Sequence, residues 1–227
     1  DEAAKGFVLS CQMTPTSDCV VRIPASSAAC KTEVSSHAST ITKINRDSKT
    51  TVSFTVQADR PISFLPGQYV NLQVPGTTET RAYSFSSAPN QAELSFLIRD
   101  VPDGLMSTFM RSKANTGDTM SFTGPYGSFY LRPAARPILM LAGGTGLSPF
   151  LSMLLWLKDN PTDQPIMLAY GVNTNDDLVE LDTLNQLKAA MPNLEFSTVV
   201  VDPASGHPKL GYVTDHLSAK DLHDGNV

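Results

Sequence analysis

The sequence predicts two successive folds: a small antiparallel β-barrel or sandwich, then an α/β domain built on a parallel sheet. In the first half, apolar and polar residues alternate along several short segments, as they do in half-buried strands. Gly and Pro separate these segments at short intervals, which is typical of antiparallel sheets. In the second half, continuous apolar runs alternate with amphipathic segments, which favours a parallel sheet covered by helices.

The strands of the first half follow from this alternation. Every second residue from Val52 to Ala58 is apolar, and the segments QYVNLQV and ELSFLI alternate in the same way. The turn sequences LPGQ, VPGT and SAPN end or separate these segments. One helix is predicted within this half, at GLMSTFMRS.

The α/β half contains three apolar runs that predict buried strands, namely PILMLA, PIMLAYG and LEFSTVVV. The first run is continuously apolar, as expected for a strand buried on both faces. The segments between them, SPFLSMLLWLKD and DDLVELDTLNQLKAAM, predict amphipathic helices.

These patterns divide the chain into segments. The stretch of small and polar residues before the first strand is typical of a linker. The predicted bounds are residues 1–24 for an N-terminal segment, 25–37 for the linker, 38–134 for the β-barrel domain and 135–227 for the α/β domain.

Composition argues against several classes of protein. The chain has 227 residues and a net charge of −5, and it lacks the basic stripe of a nucleic-acid binder. No apolar run reaches the roughly 18 residues that a membrane-spanning helix needs, so we expect no membrane partner. The three cysteines are an odd number without zinc-site spacing, which favours a reducing, cytoplasmic location.

Two short motifs carry the candidate chemistry. The strand segment RAYSF brings a cation, a phenol and a hydroxyl together at Arg81, Tyr83 and Ser84. The loop GGTG at 143–146 leaves an apolar strand and opens a helix, where backbone N–H groups can bind phosphates. Its spacing is not G-x-G-x-x-G, because Pro149 stands at the place of the third glycine, so a tight turn that needs glycine is the alternative.

In combination, a barrel carrying Arg-x-Tyr-Ser and an α/β domain opening with GGTG resemble the ferredoxin–NADP reductase superfamily. The resemblance implies that Arg81 binds the pyrophosphate of a flavin, a role that suits a guanidinium. It implies that Tyr83 packs on the flat isoalloxazine ring and that the Ser84 hydroxyl lies near flavin N5. Ser84 would then be the only catalytic side chain.

The same resemblance assigns further residues to cofactor sites. The segment LIRD matches the family's segment beside the ribose and pyrophosphate, and GLMST matches a helix start whose backbone N–H groups face a diphosphate, which favours FAD over FMN. For Arg99 a surface ion pair, and for Met106 a place in the helix core, are the alternatives. The cofactor-binding residues implied are Ile98, Arg99, Gly104, Met106, Ser107, Thr108, Gly143, Gly144, Thr145, Gly146, Tyr170 and Gly171.

The nicotinamide cofactor expected from the sequence is NADH. A 2′-phosphate needs cations, and no Lys or Arg occurs from Asp159 to Leu187. Asp176 and Asp177 would repel such a phosphate. Val172 and Asn173 stand where relatives that use NADPH tend to place an arginine.

The first residues resemble the end of a plant-type [2Fe–2S] ferredoxin domain. The run GFVLSCQ places Cys11 at the fourth cluster ligand, and the other three ligands, expected earlier as C-x4-C-x2-C, are not in the sequence. A further strand beside the nicotinamide is expected beyond residue 227. The chain thus looks like a reductase component of a bacterial aromatic-ring dioxygenase, of the benzoate or toluate type, shortened at both ends.

The function implied by this resemblance is NADH-dependent electron transfer. NADH would reduce FAD, and the electrons would pass through a [2Fe–2S] cluster of the full-length parent to a partner oxygenase. A flavin reductase or a flavohaemoprotein-like module with another acceptor is the alternative. A non-catalytic interaction module is a third interpretation, and it would bind no flavin.

Overall fold

The chain divides into two compact units, residues 1–31 and 32–227. The elements below all belong to the second unit. The predicted ferredoxin-like remnant lies for the most part outside the described residues, and its cluster ligand Cys11 lies outside them entirely. The computed structural model describes residues 14, 16–18, 20, 33–91, 93–218 and 227.

The first sheet is antiparallel. Its strands are β1 (Ser35–Arg46), β2 (Thr51–Ala58), β3 (Tyr69–Gln73), β4 (Thr80–Ser84), β5 (Glu93–Arg99) and β6 (Thr119–Tyr126). Their order across the sheet is β4–β3–β6–β1–β2–β5, and each hydrogen-bonded pair is antiparallel. Helix α1 (Leu105–Ser112) connects β5 to β6. The prediction of antiparallel strands interrupted by one helix is confirmed.

The two edges of this sheet meet, so that it nearly closes into a barrel. Phe85, directly after β4, forms an antiparallel bridge with Phe96 of β5. The N–H of Ser86 donates to the Ser95 carbonyl at 2.8 Å. Inside, the rings of Phe64 and Phe85 stack with their centroids 3.8 Å apart. The aromatic residue of the RAYSF motif therefore belongs to the barrel core, while its polar residues remain for another role.

Strand β1 begins earlier than the sequence predicted. Ser35 pairs with Gly124 and His37 with Phe122, across to β6. His37 is 4% exposed, and its ring stacks on that of Phe122 with 5.0 Å between centroids. Ser35, Ser36 and His37 thus belong to the sheet and not to the predicted linker. The polar sequence gave no sign of this, because pairing with β6 is a long-range contact.

The second sheet is parallel. Its strands β7 (Ile138–Gly143), β8 (Ile166–Val172) and β9 (Leu194–Val200) lie side by side in that order. Helix α2 (Ser148–Asp159) connects β7 to β8, and α3 (Leu181–Ala190) connects β8 to β9. Short 3₁₀ turns cover Gly144–Leu147, Asn175–Asp177 and Val213–His216. The predicted parallel α/β fold is confirmed. Among the described helices none is long and apolar enough to cross a membrane.

Strand β7 is not buried on both faces, as its apolar run had suggested. Leu141 is 40% exposed, whereas its neighbours Met140 and Ala142 are at most 2% exposed. Leu141 lines a surface cavity instead of a core. An apolar run cannot show by itself that one face of its strand borders a cleft.

Helix α3 starts later than predicted. The sequence suggested a helix from Asp176, but residues Asn175–Asp177 form a 3₁₀ turn and α3 begins only at Leu181. The carboxylate of Asp177 bonds to the backbone and hydroxyl of Thr174, which favours a turn over a helix. Glu180, with φ of 62°, then separates the turn from α3.

The barrel and the α/β part share a packed boundary within the second unit. Leu97 of β5 packs with the core of the parallel sheet. The hydroxyl of Ser148, at the start of α2, donates to the Leu97 carbonyl at 3.3 Å. A Cβ atom added to Gly67 would lie 2.4 Å from Cε of Met153 in α2, so the loop before β3 touches that helix closely.

Candidate functional site

Two open cavities lie next to each other along this boundary. Groove A, of about 500 Å³, is bordered by β4, β5, the start of α1 and the loop after β7. Groove B, of about 370 Å³, lies at the carboxyl ends of β7 and β8. Arg99 and Thr145 line both cavities, so grooves A and B adjoin. The carboxyl edge of a parallel sheet is where α/β proteins bind their ligands.

Most of the residues predicted from the sequence line one groove or the other. Those in groove A are Arg81, Tyr83, Ser84, Ile98, Arg99, Gly104, Met106, Ser107, Thr145 and Gly146. Those in groove B are Arg99, Gly143, Gly144, Thr145 and Gly171.

Strand β4 forms one wall of groove A. Its pairing with β3 places Arg81 opposite Leu72 and Ser84 opposite Tyr69. Tyr83 packs against the barrel core, and burial raises the pKa of its phenol, so the ring stays neutral at physiological pH. The hydroxyl of Ser84 makes no hydrogen bond to the described part of the chain, which leaves it available to a ligand.

Two guanidinium groups border groove A. Arg81 lies 3.3 Å from the Glu79 carboxylate and donates to the Thr80 carbonyl at 2.7 Å. This ion pair is exposed and therefore weak, so a phosphate can replace Glu79 as the partner. Arg99 forms no ion pair with any described residue. Guanidinium groups bind phosphate oxygens in a bidentate manner, and two of them suit a diphosphate.

The start of helix α1 offers backbone donors to the same groove. Its N-cap is Gly104, which provides no side-chain cap, and the first N–H groups of a helix have no intrahelical partner. The hydroxyl of Ser107 is already used, because it accepts from the Val101 N–H at 2.9 Å and donates to the Arg99 carbonyl at 3.2 Å. Ser107 therefore fixes the loop between β5 and α1, and its hydroxyl is already engaged there.

Two predicted residues reach neither groove. Thr108 lies in the first turn of α1, where its N–H donates to the Gly104 carbonyl at 2.7 Å, and it is not among the residues that line either groove. Tyr170 is fully buried, and its hydroxyl donates to the Asp177 carbonyl at 3.1 Å. Burial raises the pKa of Tyr170 to about 12. In the Tyr-Gly pair it is therefore Gly171 that borders groove B, and a cofactor contact of Thr108 or Tyr170 stays a prediction.

The GGTG loop presents bare backbone to the grooves. A Cβ atom added to Gly143, Gly144 or Gly146 would meet no other atom within 4 Å. Side chains would fill this open space, whereas glycine lets a ligand approach the backbone N–H groups. The hydroxyl of Ser148 donates to the Thr145 carbonyl at 3.0 Å and holds the loop at the start of α2.

Groove B also contains residues that the sequence did not indicate. Thr50 comes from the turn between β1 and β2, and Tyr212 from the segment after β9. Tyr212 is 66% exposed at the rim of the groove. Neither residue stands in a motif, because only the tertiary fold brings its segment to the carboxyl edge of the parallel sheet.

Groove A fits a flavin dinucleotide. The phenol of Tyr83 suits a flat heterocycle, and the free hydroxyl of Ser84 suits a ring heteroatom. Arg81, Arg99 and the uncapped start of α1 together suit two phosphates.

Groove B fits a nicotinamide dinucleotide that lacks a 2′-phosphate. The glycine backbone at its floor can bind a pyrophosphate. Arg99 is the only cation among the lining residues, and the Asp177 carboxylate lines the groove as well. A 2′-phosphate would be repelled by this carboxylate, and the one guanidinium that lines the groove, Arg99, also borders groove A, where it suits a flavin diphosphate.

Comparisons with known families agree with both fits. Residues 36–130 match the oxidoreductase FAD-binding domain family, and residues 140–226 match the oxidoreductase NAD-binding domain family. FAD and NADH are the cofactors of such a chain.

Named relatives are similar over the whole chain. It is 47% identical over 228 residues to the toluate 1,2-dioxygenase electron transfer component of Pseudomonas putida. It is 50% identical over 231 residues to the 2-halobenzoate 1,2-dioxygenase electron transfer component of Burkholderia cepacia. Each alignment covers 100% of this chain and 68% of the relative.

Solved structures share the fold. The Amycolatopsis cytochrome P450 reductase GcoB superposes with a TM-score of 0.75 at 26% identity, over 84% of this chain and 59% of that one. The ferredoxin reductase in carbazole 1,9a-dioxygenase gives a TM-score of 0.73 at 25% identity, over 82% and 57% of the two chains. The chain therefore belongs to the family of FAD- and NAD-binding oxidoreductases that includes the electron transfer components of toluate and 2-halobenzoate 1,2-dioxygenase.

Proposed function

We propose that this chain carries electrons from NADH by way of FAD and a [2Fe–2S] cluster to the oxygenase component of an aromatic-ring dioxygenase. The observation that carries the proposal is the junction of grooves A and B at Arg99 and Thr145. Two cofactors that exchange electrons must meet, and this junction is where the two binding sites adjoin. The relatives are named as electron transfer components of toluate and 2-halobenzoate 1,2-dioxygenases. These names support an aromatic carboxylate as the substrate of the oxygenase.

The residues of groove A have proposed roles toward FAD. Arg81 and Arg99 neutralise the phosphates, with the backbone N–H groups at the start of α1. Tyr83 covers one face of the ring system and keeps water from it. Ser84 donates its hydroxyl proton in a hydrogen bond at the reacting edge of the ring, and is the catalytic residue. Ile98, Gly104, Met106 and Ser107 form the remaining wall.

The residues of groove B have proposed roles toward NADH. The backbone of Gly143 and Gly144 binds the pyrophosphate, and Gly171 borders the same groove. Thr145 lies at the junction and orients the nicotinamide end toward groove A. When bound in these two grooves, the cofactors would supply the redox chemistry, namely electron transfer from NADH to the flavin.

The wider organisation is part of the same proposal. We assign 38–134 to FAD and 135–227 to NADH, which the matched regions 36–130 and 140–226 support. In the full-length parent, Cys11 is the fourth ligand of the cluster. A cytoplasmic location agrees with the odd number of cysteines, which does not indicate a disulfide framework.

The reductase step is tested with the chain loaded with FAD and with ferricyanide as an artificial acceptor. We expect NADH to drive ferricyanide reduction, and NADPH to be less efficient by about tenfold or more in kcat/KM, because the only cation that lines groove B, Arg99, is assigned to the phosphates of FAD. Equal efficiency with the two nucleotides would contradict the assignment of groove B.

The acceptor is tested separately, with the full-length protein, a ring-hydroxylating oxygenase component and benzoate in air. We expect NADH oxidation coupled to dihydroxylation of the ring. Rapid ferricyanide reduction without any consumption of benzoate would defeat the proposed acceptor. It would favour a flavin reductase or flavohaemoprotein-like role instead.

A further inference from the structure

A second cluster of reactive side chains lies in the barrel, outside grooves A and B. The hydroxyl oxygen of Ser35 lies 2.9 Å from Nε2 of His37. Nδ1 of the same imidazole lies 3.2 Å from Oδ1 of Asp59. A hydroxyl, an imidazole and a carboxylate are therefore in line, each within hydrogen-bond distance of the next. None of these residues lines either cofactor groove.

The imidazole is held in one orientation. His37 is 4% exposed, and its ring stacks on Phe122 at an interplanar angle of 14°. A carboxylate only accepts hydrogen bonds, so Asp59 holds the proton of His37 on Nδ1. Nε2 then carries a lone pair and accepts the hydroxyl proton of Ser35. This is the arrangement by which a histidine activates a serine nucleophile.

The carboxylate is ionised and oriented as this role requires. Desolvation opposes ionisation of Asp59, but hydrogen bonds from the Ala38 backbone and from His37 outweigh it and lower its pKa. Arg60 lies 3.4 Å from the second carboxylate oxygen and donates to the Ser36 carbonyl at 2.9 Å. Asp59 is thus held between the imidazole and a guanidinium.

The serine opens onto a cavity that can admit a small molecule. The cavity measures about 410 Å³, and Ser35, His37 and Arg60 border it, together with the polar Glu33 and Ser63 and the apolar Pro61 and Ile62. The guanidinium can stabilise negative charge on a carbonyl oxygen. The apolar wall can receive a short acyl chain.

We propose that Ser35, His37 and Asp59 form an acyl-transfer site that hydrolyses small carboxylic esters. Ser35 Oγ forms a bond to the ester carbonyl carbon, and its proton passes to Nε2 of His37. The bond from that carbon to the alcohol oxygen breaks, and the alcohol leaves with the proton. Water then attacks the acyl-serine by the same route, which releases the acid and restores Ser35. The reaction involves no oxidation or reduction, so the site is independent of the flavin.

The test uses 4-nitrophenyl acetate with the FAD-loaded chain, followed by the release of 4-nitrophenolate and by mass spectrometry of the acetylated peptide. We expect turnover with acetyl on Ser35. The variants Ser35→Ala and Asp59→Asn should each lower the rate about 100-fold, because each removes a member of one proton-transfer chain. Ser36→Ala is the matched control, since Ser36 bonds instead to Thr123 at 3.3 Å, and it should keep the parental rate.

All three variants should reduce ferricyanide with NADH as the parent does, which shows that each is folded. If Ser35→Ala reduces ferricyanide normally and still hydrolyses the ester at the parental rate, the proposed site does not exist. Acetyl found on lysines but not on Ser35 would overturn the proposal equally, because lysines acetylate without any activation.

Discussion

The hydroxyl of Thr50 donates a hydrogen bond to the carboxylate of Asp177, and this contact ties the barrel to the α/β part at the edge of groove B. The same carboxylate accepts from the hydroxyl of Thr174 at 2.8 Å and from its N–H at 3.2 Å. One side chain therefore both caps the turn after β8 and joins that turn to the β1–β2 turn. The relative position of the walls of groove B depends on this ionised group.

This contact leads us to a prediction about the stability of the fold at acid pH. Partial burial opposes ionisation of Asp177, but hydrogen bonds from Thr50 and Thr174 outweigh it and lower its pKa below 3.8. A carboxyl whose pKa is lower in the folded state stabilises the fold above its unfolded pKa, and this contribution is lost as pH falls through the folded value. We expect Asp177→Asn to lower the free energy of unfolding by about 1 kcal/mol at neutral pH. The loss is small because the carboxylate is partly exposed, so solvent weakens its hydrogen bonds.

Urea unfolding of the parent and the variant, from about pH 7 to about pH 3, measures this difference in unfolding free energy. By linkage, the difference changes only when the pH falls below the pKa of the carboxyl in the unfolded state. The gap between the two proteins should close below the ordinary pKa of 3.8. Thr50→Val should show a smaller gap of the same sign, and Thr40→Val, an exposed threonine on β1, should show none. A gap that stays constant across the whole range would contradict the role of the ionised carboxylate.

Ser84 provides the prediction on catalysis. Its hydroxyl lines groove A and is free of bonds to the described chain, so its removal should leave flavin binding nearly unchanged. We expect Ser84→Ala to slow the reduction of FAD by NADH about tenfold or more, because one hydrogen-bond donor at the reacting edge is lost. Stopped-flow absorbance under nitrogen gives this rate. Ser86→Ala, two residues further along and outside both grooves, is the control, and equal rates in the two variants would rule out the proposed role.

The glycines of the GGTG loop allow the two grooves to be separated. A methyl group on Gly143 or on Gly146 meets no atom within 4 Å, so neither substitution should unfold the chain. Gly143 lines groove B and Gly146 lines groove A. We expect Gly143→Ala to raise the KM for NADH about tenfold with normal FAD content, and Gly146→Ala to lose FAD more readily, since each methyl keeps phosphate from the backbone. If Gly143→Ala lost FAD and Gly146→Ala instead raised the KM for NADH, groove A would be assigned to NADH and groove B to FAD.

Gly67 tests the boundary between the two sheets. Its φ is +105°, and an added Cβ would lie 2.4 Å from Met153 Cε and 2.6 Å from the Phe129 carbonyl oxygen. Gly117 has a similar φ of +99° but open space around it. We expect Gly67→Ala to lower the free energy of unfolding by about 3 kcal/mol and Gly117→Ala by about 1 kcal/mol. Urea denaturation measures both, and equal losses would show that α2 does not pack closely on this loop.

Local patterns were sufficient to predict much of this fold. Alternation from Val52 to Ala58 predicts β2 because one side of that strand faces the barrel core. The RAYSF segment could be assigned to a site only through its resemblance to the ferredoxin–NADP reductase superfamily, because taken alone it is ordinary strand sequence. Motifs failed where the direction of a side chain mattered. Tyr170 and Gly171 are adjacent in sequence, but the pleat of β8 sends the tyrosine into the core.

Other features have no local signal at all. Thr50 and Tyr212 reach groove B only because distant segments fold against the parallel sheet. The line of Ser35, His37 and Asp59 likewise needs the pairing of β1 with β2, which places residue 59 beside the start of β1. Such sites depend on long-range pairing, and spacing along the chain does not reveal it.

The most direct test of the central claim is a visible absorption spectrum of the purified chain with FAD, recorded under nitrogen before and after addition of NADH. The arrangement of grooves A and B predicts that the chain retains FAD through gel filtration and that NADH bleaches its yellow colour. A protein that stays colourless after FAD is added, or a bound flavin that NADH leaves oxidised, would contradict it.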